Sequence, residues 1–189
     1  KSRQGLQNIE KYIDHIKTIG HSGKRIRPYN TALTYTIYSG KDWHNIKNTL
    51  VGIELIHLMA LIHDDIMDES ETRHGVISAH KFIEQDLDSK VSSDIAKHTS
   101  QSLAILLGDI VFAWAYKEFS KDNQTKDSWN IIHTLVEEVI LGQMMDVYNP
   151  IEKSTTMIAV ENKMLLKTAR YTFTYPLLLG AVLANVNNK

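Results

Sequence analysis

The sequence predicts an all-α protein, a bundle of helices packed around a central buried pair, and three observations support this prediction. Apolar residues recur at steps of three and four along most of the chain, as in Leu6, Ile9, Ile13 and Ile16, which is the spacing of one helical face. Only three prolines and nine glycines interrupt the 189 residues, which favours long helices. No segment alternates apolar and polar residues as a strand does.

The breaks between the apolar segments place the individual helices. We predict helices from Leu6 to the loop at Gly20–Gly23, from Pro28 to about Tyr38 before Gly40, from Ile46 to about Glu69, from Leu103 to Phe119, from Trp129 to Tyr148 before Asn149-Pro150, and from about Thr155 to Val186 with a kink before Pro176. The helix from Ile46 is apolar on most faces, so it should be central and buried. The polar residues from Glu84 to Ser102 predict a mobile loop followed by the start of a helix.

Composition excludes several classes of protein. The net charge of -1 gives no basic surface for nucleic acid or an anionic membrane. The longest apolar stretch, Leu177 to Ala184, is far too short for a membrane span. No signal-peptide pattern and no cysteine occur, so we expect a cytoplasmic protein without disulfides or thiolate metal sites. A length of 189 residues suits one domain, 1–189.

An aspartate cluster is the most informative feature of the sequence. Asp64, Asp65 and Asp68 lie within one turn near the end of the long apolar helix, where their charges repel one another. A cation is needed to offset that repulsion, and carboxylate oxygens suit Mg²⁺. An isolated cluster of this kind is more often a solvated acidic patch. The apolar residues Leu58, Leu61 and those beside them instead indicate the charged rim of a buried cavity.

Basic residues accompany the aspartates at three places. Lys24, Arg25 and Arg27 lie in a loop that leads to a helix start, Arg73 and His74 follow the aspartates, and Lys167 and Arg170 come late in the chain. Each alone is best explained as a solvated surface charge. Together, the carboxylates and the separate cations suit a pocket that holds a metal and two anionic groups such as diphosphates.

Six motifs, in this order and at close to this spacing, resemble the polyprenyl synthetase family over nearly the whole chain. They are Gly23-Lys24-Arg25-Ile26-Arg27-Pro28, Glu54-Leu55-Ile56-His57, Asp64-Asp65-Ile66-Met67-Asp68 with Arg73-His74-Gly75, Leu107-Gly108-Asp109, Gly142-Gln143-Met144-Met145-Asp146 and Lys167-Thr168-Ala169. The aspartate motif alone is weak, since class I terpene synthases share it. The resemblance implies an isoprenoid synthase-type helical bundle around a central cavity and a homodimer formed through central helices, for which the apolar residues Leu103 to Phe119 are candidates.

The resemblance also implies a reaction, the condensation of isopentenyl diphosphate with an allylic diphosphate, and a role for each site residue. Asp64, Asp65 and Asp68 would bind Mg²⁺ and, through it, the allylic diphosphate. Arg73 and Lys167 would contact the allylic diphosphate, and Lys24, Arg27 and His57 would bind isopentenyl diphosphate. Gln143 and Thr168 would line the site near the developing allylic cation. Asp146 would support the metal or Lys167.

The sequence departs from the family pattern at two points. The family usually has two arginines after the first aspartate motif, and here the second is His74, which cannot form an arginine fork. Isopentenyl diphosphate binding is therefore expected to be weaker or sensitive to pH. The second aspartate-rich motif of the family is absent and would lie beyond Lys189. We expect the C-terminal part of a longer enzyme to be missing, and the alternative is a truncated chain that does not turn over alone.

Residues one helical turn before Asp64 should lie beside the growing product, because a turn rises about 5.4 Å, close to one isoprene unit. These are Met59 and Ala60, with Ile56 a turn deeper. A flexible methionine and a small alanine do not block the first turn. We expect a product longer than farnesyl diphosphate, geranylgeranyl diphosphate first among the candidates. The alternative is that these residues only pack the core.

Three other functions compete with this hypothesis. A terpene cyclase of the same fold would lack an isopentenyl site, and Lys24, Arg27 and His57 argue against it. A non-catalytic partner subunit of a prenyl diphosphate synthase is favoured by the missing second motif and opposed by the intact first one. A purely structural helical domain would have scattered charges, whereas here the charges fall at motif positions. A farnesyl or a longer-chain synthase also stays open.

Overall fold

The structure is a computed structural model that describes residues 2–148, 151, 157, 161 and 164–185. This part of the chain confirms the all-α prediction. Its helices are α1 (Ser2–His21), α2 (Ile26–Ser39), α3 (Lys47–Met67), α4 (Ala79–Leu87), α5 (Ser93–Phe119), α6 (Lys126–Tyr148) and α7 (Tyr175–Leu183). A 3₁₀ helix, Trp43–Ile46, leads into α3, and a π-helical segment, Leu165–Thr174, leads into α7. No helix among these residues is both long enough and apolar enough to cross a membrane.

Helix α5 begins at Ser93, well before the predicted Leu103. Its first turns are polar because they bury only small side chains, Ala96 and Ser100, so composition did not mark them as helical. Most of the predicted mobile loop is thus helix, including the end of α4. The predicted boundaries at Asn149-Pro150 and Thr155 lie outside the described residues.

A short β-hairpin contradicts the expectation that the chain has no strands. Thr72–Arg73 (β1) pairs antiparallel with Val76–Ile77 (β2). The backbone angle φ is 52° at His74 and 80° at Gly75, and a two-residue turn with positive φ at both positions matches the twist of a hairpin. Strands of two residues are too short to show alternation, which is why the prediction was wrong here.

The chain divides into two compact units, and the first contains Lys1–Lys24 and Leu55–Trp114. In this unit α1 packs against α4 and β2. The His15 ring stacks on Phe82 with centroids 3.9 Å apart, and its Nε2 lies 2.9 Å from the carbonyl oxygen of Ile77. A Cβ on Gly20 would lie 3.2 Å from a methyl group of Leu58, so the end of α1 passes close to α3.

The second unit contains Arg25–Glu54 and Ala115–Lys189. In it α2 packs along α7, and α6 packs against both the π-helical segment and α7. Gly180 of α7 lies directly against the backbone oxygen of Thr31, which leaves no room for a Cβ. The side chain of Asp122 accepts hydrogen bonds from the backbone N–H of Thr49 at 2.6 Å and from its hydroxyl at 2.8 Å, which caps the first turn of α3.

Candidate functional site

The end of α3 presents the aspartates. The N–H of Ser70 donates to the carbonyl of Asp65 at 2.9 Å, the N–H of Glu69 donates to that of Ile66 at 3.3 Å, and Glu69 has a φ of 49°. These two bonds and the left-handed residue form a Schellman motif. Because the helix stops there, Asp64 and Asp65 lie in its last turn and Asp68 lies at its cap.

One guanidinium holds two of these carboxylates. The Nε of Arg73 donates to Asp65 Oδ1 at 2.8 Å, and its Nη2 donates to Asp64 Oδ2 at 3.1 Å and also to Asp65 Oδ1. The Asp65 side chain is 1% exposed, that of Asp64 16% and that of Arg73 24%. The residue expected to contact the allylic diphosphate thus forms an ion pair with the residues expected to bind metal.

The charges explain why this pairing forms. Carboxylates at a helix C-terminus face the negative end of the helix dipole and also repel one another. Burial raises the pKa of Asp65, and the opposing effect of Arg73 does not outweigh it. Burial alone would lower the pKa of Arg73, but its bonds and charge interactions with Asp65 and Asp64 raise it. The carboxylates therefore need a cation, and Arg73 supplies one.

The hairpin carries Arg73 to the aspartates and is tied back to the end of α3. The N–H of Ser78 donates to the carbonyl of Glu71 at 2.9 Å, and its hydroxyl donates to the carbonyl of Ser70 at 2.6 Å. His74 lies in the exposed turn of this hairpin. His74, which replaces the usual arginine, is next to Arg73 along the chain. Its own backbone has the left-handed conformation of the turn, which histidine tolerates better than most residues.

The donors fit a magnesium ion that binds through a small number of carboxylates. Over the residues that the structure describes, no three acidic or histidine side chains converge as a preformed metal cluster, and Asp68 is exposed. Asp64 and Asp65 do come together. The second carboxylate oxygen of Asp65 is buried and has no hydrogen-bond partner among the described residues. Mg²⁺ usually takes one or two carboxylates, with water and phosphate oxygens completing its shell, so this pair suits it.

Helix α5 packs closely against the last turns of α3, next to the aspartates. A Cβ on Gly108 would collide with the imidazole of His63. The Nε2 of that ring lies 3.2 Å from the carbonyl oxygen of Ile105 and 3.7 Å from a carboxylate oxygen of Asp109. The motif Leu107-Gly108-Asp109 therefore lets the residue preceding Asp64 pack directly onto the backbone of α5.

Lys24 and His57 also belong to the first unit. Lys24 is exposed just before α2, and His57 is half-buried within α3. The proposed product-length residues lie on the same helix. Ile56 is 0% and Met59 6% exposed, and Ala60 is partly exposed. This burial agrees both with a lining of the product cavity and with simple core packing.

The second unit holds Arg27, whose contacts differ from those of the neighbouring Arg25. Arg25 has a φ of 56° at the cap of α2, and its Nη1 donates to Glu54 Oε1 at 2.5 Å. The charge of Arg25 is thus neutralised by a carboxylate. Arg27 instead contacts neutral groups, Tyr171 and Thr172 of the π-helical segment.

Lys167 and Thr168 lie in the π-helical segment, and Gln143 and Asp146 lie in α6, which packs against that segment. Thr168 is exposed, and the side chain of Lys167 lies outside the described part of the structure. The Nη1 of Arg170 pairs with Glu138 of α6 at 2.9 Å. Helix segments of the π type often occur at functional sites, and here the change to α-helix at Tyr175 stands where the sequence predicted a kink before Pro176.

Sequence reasoning assigned no role to Glu54, Tyr171 and Thr172. Glu54 belongs to the motif Glu54-Leu55-Ile56-His57. An acidic residue at this position could have suggested an ion-pair partner for Arg25. No sequence signal points to Tyr171 or Thr172, because their contact with Arg27 joins residues far apart in the chain.

The chain is similar to known proteins in sequence and in fold. The family model described as "Polyprenyl synthetase" matches residues 7–189. A short chain isoprenyl diphosphate synthase of Methanocaldococcus jannaschii is 30% identical over 175 residues, which are 88% of this chain and 46% of that protein. Component 2 of the heptaprenyl diphosphate synthase of Bacillus subtilis is 31% identical over 130 residues, 67% of this chain and 32% of that protein.

Among solved structures, the geranylgeranyl pyrophosphate synthase of Corynebacterium glutamicum, complexed with isoprenyl diphosphate and magnesium, superposes with a TM-score of 0.85 at 27% identity. The match covers 94% of this chain and 53% of that one. The chain spans about half the length of the relatives it matches.

Proposed function

Because the chain belongs to the polyprenyl synthetase family, we propose that it takes part in condensing isopentenyl diphosphate with an allylic diphosphate to give an all-trans polyprenyl diphosphate. The arrangement of Asp64, Asp65 and Arg73 carries this proposal. Two carboxylates, one of them buried, are held side by side by an arginine, which provides both the ligands for a divalent ion and a cation for a diphosphate.

The allylic substrate is proposed to bind at the end of α3. Asp64, Asp65 and Asp68 would hold Mg²⁺, which when bound neutralises the charge that develops on the departing diphosphate. Arg73, which pairs with Asp64 and Asp65 in the structure, would supply a cation for the diphosphate oxygens. Lys167 is proposed as a second cation for the same diphosphate, with Asp146 supporting the metal or Lys167.

Isopentenyl diphosphate is proposed to bind to Lys24, Arg27 and His57, with His74 contributing a weaker contact than an arginine would. The allylic carbon–oxygen bond breaks, the isopentenyl double bond attacks the resulting cation to form a carbon–carbon bond, and loss of a proton restores a double bond. Thr168 and Gln143 would stabilise the cation, because a hydroxyl and an amide oxygen can both face positive charge.

The product is proposed to be geranylgeranyl diphosphate. The tail would extend along α3 past Ala60 and Met59 toward Ile56. Met59 and Ile56 are buried apolar side chains, and apolar surroundings keep water from the carbocation. Mg²⁺ dependence, a homodimer and a cytoplasmic location are parts of the same proposal.

A second candidate function is that of a subunit that acts only with a partner chain. One observation favours it. A relative of this chain is named as component 2 of a heptaprenyl diphosphate synthase. In that case the residues above would bind substrate within a complex rather than act alone.

A condensation assay tests the proposal. The protein is incubated with labelled isopentenyl diphosphate and farnesyl diphosphate, and the labelled product is sized by chromatography. The proposal predicts a Mg²⁺-dependent product one isoprene unit longer, absent with EDTA. Product formed only after a second synthase subunit is added would establish the subunit function. Cyclic or unelongated hydrocarbons would contradict both.

A further inference from the structure

We propose that Tyr171 and Thr172 are positioning residues for isopentenyl diphosphate, because together they fix the orientation of the Arg27 guanidinium. This inference rests on the proposed function, in which Arg27 binds that diphosphate. The two residues act on different parts of the guanidinium, one on its face and the other on its edge.

The face of the guanidinium lies on an aromatic ring. The central carbon of the Arg27 guanidinium is 4.2 Å from the centroid of the Tyr171 ring. Tyr171 is only 2% exposed, so its ring cannot turn away freely. A desolvated cation–π contact of this kind stabilises the arginine and fixes the plane of the guanidinium.

The edge of the guanidinium is held by a hydroxyl. The Nη2 of Arg27 donates to Thr172 Oγ1 at 3.0 Å, and Thr172 is 7% exposed. A hydrogen bond in the plane of the guanidinium fixes its rotation within that plane. Face and edge contacts together set the directions in which the other N–H groups point, which a bidentate bond to a phosphate group requires.

The two anchors are themselves held to α2, the helix that carries Arg27. The amide of Asn30 donates to the carbonyl of Thr172 at 3.0 Å, and the hydroxyl of Thr31 donates to the carbonyl of Pro176 at 3.0 Å. Arg27, Asn30 and Thr31 follow one another at helical spacing on one face. The π-helical segment that bears Lys167 and Thr168 is therefore fixed to the helix that bears Arg27.

Tyr171 and Thr172 are uncharged, so they hold Arg27 without neutralising its positive charge. Arg25 is neutralised by Glu54 at 2.5 Å, whereas Arg27 is held by an aromatic ring and a hydroxyl, and has no carboxylate partner among the described residues. Its Nε is buried and has no acceptor there either. A buried N–H without an acceptor is costly, and a bound anion is the kind of group that compensates for it.

The test measures binding of isopentenyl diphosphate by calorimetry to the full chain and to matched variants. Tyr171→Leu removes the ring and Tyr171→Phe keeps it. Tyr175→Leu is the control, because Tyr175 is similarly buried, at 5% exposure, but its ring faces Arg170 with a separation of 5.3 Å. Thr172→Val removes the hydroxyl, and Thr172→Ser restores it. Circular dichroism and thermal unfolding confirm that each variant is folded.

We expect Tyr171→Leu to raise the Kd for isopentenyl diphosphate roughly fivefold to thirtyfold, the range of a desolvated cation–π contact. Tyr171→Phe, Tyr175→Leu and Thr172→Ser should bind nearly as the wild type does, and Thr172→Val should bind several-fold more weakly. If Tyr171→Leu does not fold, the two Thr172 variants decide the question. Equal affinity for Thr172→Val and Thr172→Ser, or for Tyr171→Leu and Tyr175→Leu, would overturn this inference alone. No binding by the wild type would overturn the proposed isopentenyl site and this inference with it.

Discussion

The guanidinium of Arg73 is the counterion of the buried carboxylate of Asp65, to which its Nε donates at 2.8 Å. Asp65 is 1% exposed and lies at the negative end of α3, so it depends on a positive group whether or not substrate is bound. The positive group and the carboxylates come from two elements, the hairpin and α3, that are joined by a short connection. The site is thus built around one charge balance that metal binding would change.

Loss of Arg73 should destabilise the protein when no metal is present. Arg73→Met leaves a buried carboxylate without its partner, and we expect a loss of about 3 kcal/mol in the free energy of unfolding, measured with urea in EDTA. Lys97→Met is the control, because Lys97 pairs with the exposed Glu69 at 2.9 Å, and such surface pairs contribute little. Equal stability of the two variants would show that Arg73 is not the counterion of Asp65.

Asp65 and Asp68 should differ in their effect on stability although both are proposed metal ligands. Asp65→Asn removes the buried charge that pairs with Arg73, so thermal unfolding in EDTA should occur at a clearly lower temperature. Asp68→Asn changes an exposed side chain, and its unfolding temperature should equal or exceed that of the wild type, because one repulsive charge at the helix end is gone. A larger loss for Asp68→Asn would contradict this arrangement.

Acid should destabilise the first unit through two histidines. Burial lowers the pKa of His15, and burial with the nearby Lys81 lowers the pKa of His80. Below the ordinary histidine pKa the unfolded chain binds protons that the folded chain does not, so this stability is present above about pH 6.5 and is lost as the pH falls below it. The midpoint temperature of thermal unfolding should therefore decrease as the pH is lowered from about 7.5 to about 5.5.

The double variant His15→Gln, His80→Gln should show a shallower fall of the unfolding midpoint over the same pH range. His98→Gln, which replaces an exposed histidine, should keep the wild-type slope. A double variant whose midpoint falls as steeply as that of the wild type would show that these two groups do not cause the acid sensitivity.

The sequence predicted the parts of the structure that depend on local pattern. The apolar spacing placed α1 and α3, and the charge repulsion of three aspartates at the end of an apolar helix indicated the candidate site. The ion pair of Arg73 with Asp64 and Asp65 was not predicted, because it needs a chain reversal that two-residue strands do not reveal. His74-Gly75 between β-forming residues was the available signal for that turn. The contact of Arg27 with Tyr171 joins distant segments, and no local pattern encodes it.

The close packing of His63 on α5 should make Gly108 intolerant of a side chain. Gly108→Ala would force the imidazole from its place, and we expect a loss of about 1–3 kcal/mol in the free energy of unfolding. His63→Ala in the same chain should recover part of that loss, because the colliding ring is absent. A double-mutant cycle measured with urea checks this coupling, and strictly additive losses would contradict it.

Product length should respond to Met59 and not to its neighbour. Met59→Phe places an aromatic ring one turn before Asp64, where it would block the growing tail and shorten the product, as read by chromatography of the labelled product. Leu58→Phe is the control, since Leu58 is also buried, at 9% exposure, but lies near Gly20, 3.2 Å from its ideal Cβ position. An unchanged product from Met59→Phe would leave these residues as core packing only.

The most direct test of the site is a calorimetric titration of farnesyl diphosphate into the protein with Mg²⁺ and with EDTA, repeated for Asp64→Asn. Asp64 is 16% exposed, so this change disturbs the fold less than a change at Asp65. We expect binding with Mg²⁺, no binding with EDTA, and at least roughly tenfold weaker binding for Asp64→Asn, which is the usual loss when a group that supports a bound metal is removed. Binding of equal strength under all three conditions would contradict a metal-dependent diphosphate site at the end of α3.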